Sequence, residues 1–320
     1  MRYLARRLAH AALLLIGVSI FSFALLQFAP GDYFSPLGLN PQISARTVAG
    51  LRAEYGLDRP LPIRYAAWLG STLKGDFGVS FAYNSPVGPL LAVRARNTIL
   101  LTSTAMLLSW LLALPLGIWS AARRGTWGDR VGGLLTSMLL TIPDLVLFLL
   151  LLLLAVRTGW FPTGGMISGN FDELSLWGKA KDLLTHLILP ALGLALATLP
   201  PLLRHVRSAM MEALDAPFIR AARAHGIPES RVLMRYALPV AANPLISLFG
   251  FSIAGMLSAS LLVEVILSWP GIGPLLVEAI QAKDVYVVIG TVLLSAVFLI
   301  AGNLLADLML LATDPRVRVE

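Results

Sequence analysis

Cysteine is absent from the 320-residue chain. That excludes disulfide staples, thiolate metal sites and cysteine nucleophiles, and it removes the usual pointer to a redox compartment. Charge is scarce as well: 13% of residues are Asp, Glu, Lys or Arg, where soluble domains carry about a quarter. An ordinary water-surrounded globule is therefore excluded. No Gly-x-x-x-x-Gly-Lys-Ser/Thr loop occurs, so the chain has no recognisable cradle for nucleotide phosphates. The histidines His10, His186, His205 and His225 form no His-Glu-x-x-His pair, and no Gly-x-Ser-x-Gly elbow is present. Metalloprotease and serine-hydrolase readings lose their usual support, and neither catalytic residues nor metal ligands are expected. An intramembrane protease with a dispersed dyad is the remaining enzymatic alternative, and it predicts cleavage lost on replacing a single Ser or Asp.

What is present is apolar sequence. Hydrophobic residues make up 57% of the chain and mean hydropathy is +0.77. Six segments are long enough to cross about 30 Å of hydrocarbon at about 1.5 Å per residue: Ala11–Ala29, Thr98–Ala121, Val131–Val156, Leu183–Leu203, Val240–Leu267 and Val285–Ala312. Backbone polar groups must be paired inside lipid, and the alternating segments of a barrel are missing, so the spans are helices. The expected fold is an all-α, polytopic membrane protein with six transmembrane helices. The first apolar stretch follows Arg2, Arg6 and Arg7 as in a leader peptide. It exceeds the roughly 7–15 residues of a signal core and lacks a small-x-small cleavage site, so it is expected to persist as the first helix.

The formal charge is +7, but the basic residues cluster between spans, which reports topology rather than phosphate binding; no nucleic-acid partner is expected. The N-terminal tail, the second-to-third loop, the fourth-to-fifth loop and the C-terminal tail with Arg316 and Arg318 hold 14 basic residues; the short loops opposite hold 4, Arg157, Lys179, Lys181 and Lys283. The positive-inside rule places both termini in the cytoplasm. Between Pro30 and Asn97 lie many turn formers, among them Asn40-Pro41, and a helical pattern from Ser44 to Tyr55, expected to form a small ordered extracytoplasmic subdomain. The expected division is 1–93, first helix and extracytoplasmic segment; 94–315, transmembrane domain; and 316–320, cytoplasmic tail.

Ionisable groups at membrane depth are functional candidates because exposing them to lipid is expensive. Asp144, Glu264 and Asp307 qualify. Asp144 follows Pro143, so it either bonds a backbone N–H freed by a helix break or faces a pathway. Glu264 and Asp307 lie near span ends, where they either reach the interface, pair with an arginine or meet substrate. Pro115, Pro143, Pro190, Pro200, Pro201 and Pro244 point to kinked helices. Pro270, Gly271 and Gly273 lie between the last two spans.

The fourth-to-fifth loop carries the most information. Asp215 is expected to cap a short helix with Pro217 in its first turn, running from Phe218 to His225 and stopped by Gly226. Ala221, Ala222 and Ala224 permit close approach of another backbone, Phe218 and Ile219 suit an apolar pocket, and Arg220 and Arg223 supply charge. Two readings fit equally: a helix that docks on a partner, or an amphipathic helix lying on headgroups with its arginines on anionic lipid.

This loop resembles the cytoplasmic signature of ABC importer permeases, with Ala221, Ala222, Gly226, Leu238 and Pro239 in register, Arg220 in place of the signature Glu and Tyr236 in place of the Ile. Phe218-Ile-Arg-Ala-Ala-Arg-Ala-His-Gly226 resembles the form found in the dipeptide/oligopeptide/nickel branch. Similar to that branch, in order, are Leu4-Ala-Arg-Arg7, Ala29-Pro-Gly-Asp32, Tyr55-Gly-Leu-Asp58 with Pro60, Gly75-Asp-Phe-Gly78, Glu264 with Pro270-Gly-Ile-Gly273, and Asp314-Pro-Arg316. The long segment after the first span is similar to the B-type permease. The resemblance implies a bacterial-type inner-membrane subunit that translocates peptides by alternating access. It also implies a second permease, two ATPase subunits holding ATP and Mg2+, an extracytoplasmic solute-binding protein and surrounding lipid as partners, with no cofactor in this chain. By this resemblance Phe218 to Gly226 become the ATPase-coupling helix, Gly226→Asp is expected to weaken ATPase docking while leaving insertion intact, and Pro270, Gly271 and Gly273 form either a gating turn near the binding-protein surface or a purely structural turn. Nickel chelates, glutathione or oligosaccharides are alternative cargoes. A stand-alone secondary transporter or channel is the alternative class, which predicts buried acidic relays and no obligatory ATPase.

Overall fold

A computed structural model describes residues 2–28, 31–39 and 42–313. Outside them lie Ala29, Pro30 and Asn40-Pro41, and the C-terminal tail with Asp314-Pro-Arg316 and Arg318. In chain order the elements are α1 (Arg2–Phe28), a 3-10 turn (Ser35–Leu39), α2 (Ala45–Glu54), α3 (Leu61–Thr72), β1 (Val79–Ser80), β2 (Ser85–Pro86), α4 (Val87–Ala122), α5 (Trp127–Thr141), α6 (Asp144–Thr158), a 3-10 turn (Phe171–Glu173), α7 (Leu176–Leu214), α8 (Pro217–Ala224), α9 (Glu229–Arg231), a π turn (Val232–Ala237), α10 (Leu238–Ile266), α11 (Ile272–Gln281) and α12 (Val285–Thr313).

Among the described residues, five helices are long and apolar enough to cross a membrane: α1, α4, α7, the run from α9 through α10, and α12. The expected third span, Val131–Val156, is not one helix. Its two halves, α5 and α6, meet at 97°. Pro143 is the cause: it lacks an N–H, and it holds the residue before it, Ile142, extended (φ −79°, ψ 120°). The expected boundary at 93/94 falls inside α4, which runs unbroken from Val87.

The packing forms two compact units, 1–97 with 270–298, and 98–269 with 299–320, as far as these residues are described. In the first, Ser44 caps α2 by accepting from the Thr47 N–H, and α3 lies along α1, where Phe23, Trp68 and Ile289 form a buried cluster. The β1–β2 hairpin is antiparallel. It is tied to the start of α12 by buried Asp284, which accepts from Ser80 Oγ at 2.6 Å and from the Ala82 N–H at 3.0 Å. Tyr33, Phe34, Tyr55 and Phe81 pack beside it, some stacked and some edge to face, at 5.0–5.6 Å between centroids.

In the second unit, α7 and α10 carry the core. One buried cluster joins Val206, Met210, Ala213 and Leu214 of α7 to Val232 and Ala237 of the π turn and Ala241 and Leu245 of α10. The π turn follows from Pro239, whose ring would clash with the carbonyl four residues back; widening the helix lets the Leu238 N–H bond Leu233 O instead. At Gly250 a Cβ would lie 2.0 Å from the Ala306 Cβ, so α10 and α12 meet backbone to backbone, as small residues allow between membrane helices.

Candidate functional site

The sequence places its clearest signal in α8. The structure makes this an eight-residue helix opened by Pro217. Asp215 is not its cap, contrary to expectation. Ala216 holds that position, and Asp215 ends α7 and pairs with Arg124 at 3.2 Å. A Schellman motif closes the helix: the Gly226 N–H bonds Arg223 O at 3.0 Å and the Ile227 N–H bonds Ala222 O at 3.2 Å, with Gly226 at φ +72°. A Cβ at Gly226 would meet nothing within 4 Å. Within this chain the requirement for Gly is therefore the left-handed backbone.

The two faces of α8 have separate roles. Ile219 and Ala222 are buried, and Ile219 belongs to the core cluster of α7, the π turn and α10. Ile219 therefore anchors α8 to its own chain and is not available as a partner anchor. Phe218, Arg220, Ala221, Arg223, Ala224, His225 and Gly226 are exposed, Phe218 at 45%. Arg223 is engaged by Glu229 through Nη2–Oε1 at 2.6 Å and Nε–Oε2 at 3.1 Å, and this bond holds its guanidinium above the usual arginine pKa. Arg220 has no ion pair among the described residues.

The other candidates are dispersed. Asp144 is the exposed first residue of α6, where its charge complements the positive helix end. Glu264 does not reach the interface: it is fully buried in α10 and accepts from Thr98 Oγ1 at 2.6 Å. In the first unit, Pro270 O accepts from Asn97 Nδ2 at 2.8 Å, Gly271 opens α11, and Gly271 to Gly273 are buried rather than on an open turn.

Sequence reading missed one polar cluster beside α8's support. Asp129, buried in the first turn of α5, accepts from Arg207 Nε and Nη2, both at 2.9 Å, from Ser120 Oγ at 2.5 Å and from the Gly125 N–H at 2.9 Å. It thereby binds the ends of α4, α5 and α7 together. Thr126 and Asp129 show the spacing of a helix-capping pair, which marks the helix start but not the long-range arginine.

A family model described as "Binding-protein-dependent transport system inner membrane component" matches residues 113–319, and the corresponding N-terminal model matches residues 1–102. Among curated proteins, the oligopeptide transport system permease protein AppB of Bacillus subtilis is 37% identical over 98% of both chains. The dipeptide transport system permease protein DppB of Escherichia coli is 31% identical over 99% of both. Among solved structures, a chain of the inward-facing MetNI methionine ABC transporter superposes with a TM-score of 0.58 at 16% identity, covering 70% of this chain and 96% of that one. At that identity the match concerns the fold.

Proposed function

The chain belongs to the family of binding-protein-dependent transport system inner membrane components, and from that premise we propose that it is the permease subunit of an ATP-driven importer of dipeptides or oligopeptides. The cargo follows the names carried by full-length relatives such as AppB and DppB. In this reading the chain crosses the inner membrane six times, counting the bent α5–α6 pair as one crossing, with both termini in the cytoplasm. A second permease, two ATPase subunits holding ATP and Mg2+, and a solute-binding protein complete the assembly.

The observation that carries the mechanism is the division of α8. A helix resting on headgroups must bury its apolar face in lipid, but Ile219 and Ala222 are already buried in the protein. The exposed Phe218, Arg220, Ala221 and Ala224 then suit docking on an ATPase: an aromatic anchor, one unpaired guanidinium and small residues for close approach. Because Ile219 packs into the α7–α10 cluster, displacing α8 loads both long helices through close-packed contacts, which transmit strain rather than absorb it. Asp144 is assigned to the pathway, and Pro270, Gly271 and Gly273 to gating; Glu264, buried on Thr98, is a structural anchor.

Purification of the tagged chain in mild detergent, followed by ATP-dependent peptide uptake into proteoliposomes, tests the reading. Wild type is expected to retain the ATPase. Phe218→Ala with Arg220→Glu is expected to insert normally and lose most of it, since charge reversal at a docking contact costs several kcal/mol. Full ATPase recovery in the double variant would remove α8 from the interface.

A further inference from the structure

In the first unit, a cavity of about 320 Å³ opens where the outer end of α1 meets α3 and the start of α12. Phe23 and Leu26 of α1 and Val285 of α12 line its apolar side, and Arg64 supplies positive charge. Asp32 is the one carboxylate in the lining, and it is already engaged by Arg52. Arg64 also lines a neighbouring cavity of about 170 Å³. Its Nε is buried with no hydrogen-bond partner, and no carboxylate pairs with Arg64 among the described residues. A guanidinium without an acceptor in its own chain is costly, and Arg64, half-buried and lining both cavities, is open to an acceptor from outside.

The surroundings identify the partner. Phe23 and Leu26 end a helix whose preceding residues form an apolar span. α3 lies along the C-terminal part of that helix: Tyr65 Oη meets Ser19 Oγ at 2.9 Å, and Trp68 packs on Phe23. The span of α1 ends at Leu26 and that of α12 begins at Val285, so a cavity lined by both lies at headgroup depth. A cavity there with an apolar wall and net positive charge fits a phosphodiester whose acyl chains continue along α1. We propose that Arg64 binds the phosphate of an anionic phospholipid, which completes this part of the fold independently of what the chain transports.

The test uses the full-length chain, with the subunits that accompany it, in nanodiscs of phosphatidylcholine titrated with phosphatidylglycerol. Retained lipid is read by native mass spectrometry. Wild type is expected to retain phosphatidylglycerol in preference to phosphatidylcholine. Arg64→Gln should weaken that retention by roughly tenfold or more, the size expected when one charge-assisted bond is lost, and Arg64→Lys should restore part of it. Equal retention by wild type and Arg64→Gln, or no preference between the two lipids, would overturn the proposal. Inorganic phosphate is the second probe. Displacement of phosphatidylglycerol by millimolar phosphate would assign the site to a free anion and overturn the lipid assignment, and failure to displace it supports the lipid. Gel filtration and circular dichroism of both variants separate lost binding from lost folding.

Discussion

At Asp32 two opposing effects meet. Burial raises the carboxyl pKa, but hydrogen bonds from Arg52 and Ser35 outweigh it and hold the group below its usual 3.8. A carboxyl depressed in the folded state stabilises that state above its unfolded pKa and loses the contribution as pH falls through the folded one. The difference in unfolding temperature between wild type and Asp32→Asn, measured in micelles, should therefore be flat from about pH 7 to about pH 5 and close below about pH 4. A difference that persists at about pH 3 would mean that shape, not charge, is what Asp32 supplies. Asp129 and Arg207 form the comparable pair in the second unit, bidentate and with the carboxylate buried. There the stakes are higher, because a carboxylate left alone in such a site is far costlier than one at a surface.

α8 shows what an eight-residue helix needs in order to stop. Gly226 supplies the left-handed residue of the Schellman motif, so Gly226→Ala and Gly226→Asp should each cost about 1–2 kcal/mol locally, and Gly226→Asn less. Hydrogen exchange over 217–227 measures this directly; protection unchanged in the Ala variant would refute the motif's role. The helix and its stop were legible in the sequence because Pro217 and Gly226 bracket it. Its inward face was not, since two turns are too short for periodicity to say that Ile219 and not Phe218 is buried. α2 was legible for the same reason as α8, its cap Ser44 and its end at Tyr55 matching the pattern. The α5–α6 break was half legible: Pro143 stood in view, but hydropathy averaged across it reads as one span. α11 has 10 residues, too few to register as a span, and the Asp129–Arg207 pair joins positions that only packing brings together.

For the whole chain, the count of crossings depends on the bent α5–α6 pair, and orientation depends on a surplus of basic residues on one set of loops. A helix pair bent by 97° either crosses with a break or enters and returns, and the two cases place everything after it on opposite sides. The missing cysteines make this measurable, because any cysteine introduced is the only reactive thiol. Leu73→Cys, Ala122→Cys, Asn170→Cys and Ser230→Cys all replace exposed residues. If the pair crosses, an impermeant maleimide applied to intact cells labels the variants at Leu73 and Asn170, whereas those at Ala122 and Ser230 react only after permeabilisation. If it returns, Asn170 shares the side of Ala122, α7 then crosses outward, and Ser230 becomes accessible from outside. α8 would in that case face a compartment without ATP, and its docking role would fall with the sixth crossing. The basic residues favour the first outcome: across the pair itself they balance, Arg123, Arg124 and Arg130 against Arg157, Lys179 and Lys181, but a returning pair would place outside the six arginines Arg204, Arg207, Arg220, Arg223, Arg231 and Arg235, which is the more costly arrangement.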